Sequence, residues 1–199
     1  MKSSILRAGV VTLACALGLS ACGGGDGDLY LYGSVYNVTK DGLVLKNGGN
    51  TVKVVSPYTT FQFDNRVSTD DAFDITIADG GLPSNVEGCV VNNGKARANY
   101  YTIAQISVTC TIKQHNFSVA VSGLTGTGLV IVNGSDRREV APGAASVAMS
   151  KVYEDGPYGV TVLTQPTGQT CTVSGGGNGK GSGTIGSTDL IDNVRVTCV

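Results

Sequence analysis

"DGLVLKNGGNTVKV", Asp41 to Val54, returns 86 positions later as "TGLVIVNGSDRREV", Thr127 to Val140. Gly42, Leu43, Val44, Asn47, Gly48 and Val54 recur as Gly128, Leu129, Val130, Asn133, Gly134 and Val140. Within the first copy, Leu43 and Leu45 alternate with polar or smaller residues, Asn47-Gly48-Gly49 supplies a turn, and Val52 and Val54 alternate again. That pattern predicts a β-hairpin with one buried face, because side chains on a strand point to opposite faces with period two.

The repeat extends outward from the hairpin. The same offset places Phe61 and Phe63 on Val147 and Met149. "AFDITI" (Ala72 to Ile77) answers "PYGVTV" (Pro157 to Val162), Cys89 answers Cys171, and "ISVTC" (Ile106 to Cys110) answers "VRVTC" (Val194 to Cys198). A unit of about 85 residues is too long for a solenoid repeat and near the size of a small sandwich domain. The expected fold class is all-β: two tandem immunoglobulin-like β-sandwich domains, residues 29–112 and 113–199, joined near "TIKQHNF".

Composition agrees with many short strands. The chain has 29 glycines, no tryptophan and only 15% charged residues, with Val and Thr throughout. No window of eleven or more residues carries a helical apolar period.

The N-terminus has a different character. Lys2 and Arg7 precede "AGVVTLACALGL", Ala8 to Leu19, an apolar run of signal-peptide length and too short to span a bilayer. "LSAC", Leu19 to Cys22, resembles the lipobox of bacterial lipoproteins. The resemblance implies cleavage after residue 21, lipid on Cys22 and attachment to the membrane, with Gly23 rather than Asp implying the outer membrane. Residues 22–28 then form a glycine-rich tether expected to hold the folded part away from the lipid. Several acyl chains would anchor stably, each buried CH₂ contributing about 0.8 kcal/mol.

Without residues 1–21 the chain has twelve basic and fifteen acidic groups, a net charge of −3. That balance argues against a nucleic-acid partner, which needs a basic patch. It offers no electrostatic reason to lie on anionic lipid.

Four cysteines remain besides Cys15 and Cys22. An exported chain sits where disulfides persist, and the repeat maps the four onto two equivalent pairs: Cys89–Cys110 and Cys171–Cys198. No pair has the C-x-x-C spacing of a redox site.

"GLVIVNG…YGVTVLTQPTGQTCTVSGG…NVRVTC" resembles tandem modules of Gram-negative outer-membrane lipoproteins of largely uncharacterised function. Module 2 matches through Gln165, Pro166, Gly168, Gln169 and Cys171; module 1 departs, with "ADGGLPSNVEGC" in place of the Gln-Pro segment. The resemblance implies an envelope location and an immunoglobulin-like sandwich, and no activity.

Chemistry-bearing residues are sparse. The single histidine, His115, falls at the join and reads as a solvated linker residue. Zinc would need several His or Cys ligands, and the cysteines are expected to be paired, so no metal or cofactor is expected. "GGGNGKGSG", Gly175 to Gly183, does not fit a phosphate loop: Ser174 stands where the first glycine is required and Gly181 where a Ser/Thr is required. It reads as a long flexible hairpin connection. Asp64, Asp70, Asp71 and Asp74 cluster without EF-hand spacing and read as a solvated loop face. Six of the eight tyrosines lie at Tyr30, Tyr32, Tyr36, Tyr58, Tyr100 and Tyr101. Strand alternation would put Tyr100 and Tyr101 on opposite faces, leaving one outward as a ligand contact for an envelope protein or glycan. The expected function is a non-enzymatic binding or spacer role for a lipid-anchored envelope protein. The alternative is a carbohydrate-active hydrolase using the loop carboxylates, which would need a cleft holding them at set separations.

Overall fold

The computed structural model describes residues 29–199, so Cys22 and the tether lie outside the described residues. The described residues form sixteen strands and one short helix. Module 1 comprises β1 (Leu29–Tyr36), β2 (Leu43–Asn47), β3 (Asn50–Val54), β4 (Thr60–Val67), β5 (Ala72–Ile77), β6 (Val86–Asn92), β7 (Lys95–Arg97), α1 (Tyr100–Ala104) and β8 (Ser107–Ile112). Module 2 comprises β9 (Gln114–Ser122), β10 (Leu129–Asn133), β11 (Asp136–Val140), β12 (Ser146–Tyr153), β13 (Pro157–Thr164), β14 (Cys171–Gly175), β15 (Ser182–Thr184) and β16 (Leu190–Cys198).

Each module is a two-sheet sandwich, and the two share one topology. The sheets of module 1 run β4-β1-β8-β6 and β3-β2-β5-β7; those of module 2 run β12-β9-β16-β14 and β11-β10-β13-β15. Strand for strand, the orders are identical once β1 is matched to β9. The architecture is immunoglobulin-like in having two packed sheets around one core, with a strand order of its own. In both copies the first strand pairs with the last in parallel: Val35 opposite Val108 in module 1, Val121 opposite Val196 in module 2. Because those strands run the same way, the chain enters a module at one pole and leaves it at the other.

The predicted hairpin is present. Leu43 faces Val54 and Asn47 faces Asn50, with Gly48-Gly49 at the turn; Leu129 faces Val140 and Asn133 faces Asp136 in the second copy. Gly48 and Gly134 both have φ of 58°, a left-handed conformation natural to glycine. Period-two alternation then buries one row of each strand. Leu31 and Val35 from β1, Phe61 and Phe63 from β4, and Val108 from β8 meet Leu43, Leu45, Phe73 and Ile75 of the facing sheet. Phe117, Val119, Met149, Val194 and Val196 meet Leu129, Ile131 and Val160 in module 2. Gly33 interrupts the inner row of β1 for a reason of space: a Cβ there would stand 2.8 Å from the Phe61 ring. Truncating a fully buried leucine such as Leu45 should cost about 2–5 kcal/mol.

The disulfides join residues that are direct partners across antiparallel strands, Cys89 to Cys110 on β6 and β8 and Cys171 to Cys198 on β14 and β16, each with Cα atoms 4.0 Å apart. The repeat-based pairing is therefore the one observed. Each closes a loop worth about 3 kcal/mol in the chain-entropy description, a useful addition for cores this small.

Three expectations need correction. Tyr100 and Tyr101 are not on a strand. They open α1, whose N-cap Asn99 accepts hydrogen bonds from the backbone N–H of Tyr101 and Thr102, while the Thr102 hydroxyl accepts from the Asn99 N–H. This reciprocal capping box stabilises a turn too short to show an apolar period. Both tyrosines are exposed, so they do not divide between two faces.

The glycine-rich stretch 175–183 is not a hairpin. It carries the chain from β14 in one sheet to β15 in the other. Asn178 accepts from the N–H groups of Lys180 and Ser182, and Gly181 sits so close to Val173 and to the Val160 carbonyl that a Cβ would lie 2.6 Å and 2.8 Å from them. Its glycines permit a close crossover.

His115 is not solvated. Alternation along β9 places residues 115, 117, 119 and 121 on the inner row, and the histidine side chain is only 13% exposed.

Candidate functional surface

The expected contact residues Tyr100 and Tyr101 stand at the entry pole of module 1. β1 begins there at Leu29, and β8 reaches only as far as Ser107 opposite Ser34. α1 flanks the first half of β1 that β8 leaves unpaired. The outer row of β1 brings Tyr30 and Tyr32 to the same place. Leu29, Tyr30, Tyr32, Gln62, Tyr100 and Ile103 line a shallow depression of about 180 Å³. Tyr100 and Tyr101 are 76% and 82% exposed, values far above those of a side chain that only covers a core.

Two arginines share this pole. The Arg66 guanidinium lies over the Tyr30 ring, 4.6 Å from its centre, across the strand pair on which the two residues are direct partners. Arg97 donates to the Asp70 carbonyl in the turn after β4. Asp70 and Asp71 balance these cations, so the pole is aromatic and close to neutral.

The acidic cluster serves local structure. The Asp71 carboxylate accepts from the Ser68 N–H across the turn, and Asp70 occupies a left-handed position with φ of 66°. Asp74 accepts from Lys95 Nζ at 2.6 Å, an exposed pair that holds the Lys95 ammonium above its ordinary pKa through that hydrogen bond and the adjacent charge. Asp64 is exposed on β4. Among the described residues no group of three or more His, Cys, Asp or Glu is disposed to hold a metal ion.

The second cluster lies where the modules meet. His115 Nε2 lies 3.0 Å from Glu154 Oε2, and its Nδ1 lies 3.8 Å from Asp189 Oδ1. Asp189 in turn accepts from the side chain and backbone of Asn116, bonds that draw its pKa below the ordinary carboxylate value. Among the described residues no hydroxyl or thiol is hydrogen-bonded to His115, so the arrangement lacks the nucleophile–base contact of covalent catalysis. Its partners instead tie the β12–β13 turn to the strand leaving the join. The Glu154 N–H donates to the Lys113 carbonyl, and Asp155 Oδ2 accepts from Asn85 Nδ2 at 3.1 Å and Lys40 Nζ at 3.4 Å. Asn85 is fully buried while the Asp155 side chain is 45% exposed, so this contact between modules is part-buried at the edge of the join. A polar groove of about 530 Å³ beside it is lined by residues of both modules, among them Glu87, Thr109, Gln114, Lys151 and Tyr153.

Sequence reasoning passed over what Gln165 and Gln169 do. The Gln165 amide accepts from the Cys171 N–H and donates to the Cys171 carbonyl, acting as an extra rung on β14. Gln169 accepts from the Thr125 and Gly126 N–H groups and donates to the Gly123 carbonyl, closing the β9–β10 connection. The Gln-Pro-x-Gly-Gln-x-Cys segment is therefore a structural clasp. Module 1 manages without it: the Val44 N–H donates to the Gly81 carbonyl and the Ala78 N–H to the Val44 carbonyl, drawing "ADGG" alongside β2.

No family model matches the chain, and no curated protein matches it. Among solved structures it is similar to the major pilin protein (T-13) from Streptococcus pyogenes serotype GAS131465, with 13% sequence identity and a TM-score of 0.29 over 85% of this chain and 96% of that one. A likeness that slight carries no role across to this chain, whose own residues must supply the functional reading.

Proposed function

We propose that this chain is a lipid-anchored protein of the Gram-negative envelope, held in the outer membrane through Cys22, whose two sandwiches act as a non-enzymatic spacer and binding unit. The observation that supports this reading best is the parallel pairing of first and last strands in each module. It sends the chain in at one pole and out at the other, so tandem copies extend away from the N-terminal attachment. Each long strand contributes about 25 Å of that extension at 3.3 Å per residue. The part-buried Asn85–Asp155 contact at the join helps keep the second module from folding back. The lipobox-like Leu19-Ser20-Ala21-Cys22 and the similarity to tandem-module lipoproteins supply the anchor and the compartment.

The test is fractionation of cells carrying the chain with an epitope tag after Val199, alongside Cys22→Ala. Lipid labelling and retention in washed outer membranes should be present in the wild type and lost in Cys22→Ala. Retention of the unlabelled variant in that fraction would overturn the anchor. Tag accessibility on intact cells then separates a surface-facing stalk from one that faces the periplasm and its wall or envelope partners.

A further inference from the structure

Among the described residues five of the six exposed tyrosines lie in module 1, Tyr153 being the sixth, and one group lies where the chain leaves the proposed anchor. Leu29 is both the first described residue and part of the wall of the tyrosine depression. Only six residues separate it from Cys22. A chain rises at most about 3.5 Å per residue, so Leu29 stays within about 25 Å of the anchoring sulfur. That reach keeps the tyrosine pole beside the bilayer surface and lets it settle into a headgroup layer about 5–8 Å deep on each side.

We propose that the pole formed by Tyr30, Tyr32, Tyr100 and Tyr101 is a membrane-docking surface that seats module 1 in the headgroup layer of the bilayer holding Cys22. The proposal rests on the lipid-anchor reading. It replaces the picture of a module standing away from the lipid. The chemistry of the pole suits such a layer. Tyrosine has an apolar ring and a hydroxyl that can stay wet, the combination that concentrates aromatic residues at membrane interfaces. Arg66, stacked on Tyr30, and Arg97 present cations to lipid phosphates, while Asp70 and Asp71 keep the pole near neutral. Docking therefore depends on aromatic insertion rather than on attraction to anionic lipid. Such insertion is weak for a free protein. A short covalent link raises the local concentration of the bilayer to the millimolar range or above, where weak contacts are occupied. The capping box at Asn99 contributes by holding Tyr100 and Tyr101 outward on a rigid turn.

The experiment uses the full lipidated protein, purified from membranes and reconstituted in phosphatidylethanolamine–phosphatidylglycerol vesicles. A nitroxide is placed at Tyr101→Cys or, as a distal reference, at Ala141→Cys, the other cysteines being lipidated or in disulfides. Collision with oxygen relative to a water-soluble nickel chelate should be several-fold higher at position 101 than at 141. Adding Tyr100→Ser to the 101-labelled chain should bring that ratio down toward the value at 141. Equal, water-like ratios at both positions, with the protein still floating with the vesicles, would overturn the docking surface and leave the anchor standing. Failure to float would overturn the anchor, and the docking surface with it. A label at 101 that stays water-like on lipid but is immobilised by soluble peptidoglycan fragments would overturn membrane docking in favour of a glycan site.

Discussion

Asn47 and Asn133 perform one task in two places. Asn47 Oδ1 accepts from the Asp74 N–H at 2.9 Å, and Asn133 Oδ1 accepts from the Gly159 N–H at 2.8 Å. Each ties the tip of the central hairpin to the strand beside it. Asn47→Ala and Asn133→Ala should each destabilise by about 1 kcal/mol, with the larger loss at the part-buried Asn133. The two act in separate cores, so the double variant should show the sum within about 0.5 kcal/mol. Urea unfolding of the four proteins measures this; strong non-additivity would mean the two sites are energetically coupled across the join.

Gln165→Ala removes both partners of the Cys171 main chain, and its buried N–H and C=O would lose their protein contacts. The expected loss is about 1–3 kcal/mol with the Cys171–Cys198 disulfide intact. Non-reducing peptide mapping should recover Cys89–Cys110 and Cys171–Cys198 in both proteins. A shuffled bond in the variant would show that Gln165 guides pairing as well as stabilising the strand.

Asp155→Gly deletes the carboxylate that Asn85 and Lys40 address, while glycine accommodates the local φ of 61° without strain. The modules should keep their own unfolding transitions to within about 1 kcal/mol. The maximum dimension in small-angle scattering should broaden as the join loosens. An unchanged profile would show that the main-chain bond from Glu154 to Lys113 suffices to set the angle.

Asp189 has a folded-state pKa lowered from its ordinary value of 3.8, first by the Asn116 side-chain hydrogen bond and then by the backbone one. The unfolded chain therefore binds its proton more readily than the folded one. This contribution is present above pH 3.8 and is lost as pH falls through the lowered value. The Tm advantage of wild type over Asp189→Asn should be greatest near neutrality and shrink toward zero in acid. A difference that grows on acidification would contradict the assignment.

The sequence by itself determined the repeat, the hairpins, the inward rows and the cysteine pairing, because period-two alternation and matched spacing are local properties written along the chain. Cys89 and Cys110 could be matched before any coordinates because each occupies the same place in its module as Cys171 and Cys198 in theirs. Only the tertiary structure decided the rest. Tyr100 and Tyr101 read as strand residues until Asn99 and Thr102 cap a single helical turn where β8 leaves β1 unpaired. His115 read as solvated because its neighbours Gln114 and Asn116 are polar; Glu154 and Asp189, 39 and 74 residues on, reach it through the sandwich. The join depends on Asn85 and Asp155, 70 residues apart and carried by loops that share no motif. Such contacts depend on which poles the parallel first and last strands bring together, and that geometry exists only once both sheets of each module have closed.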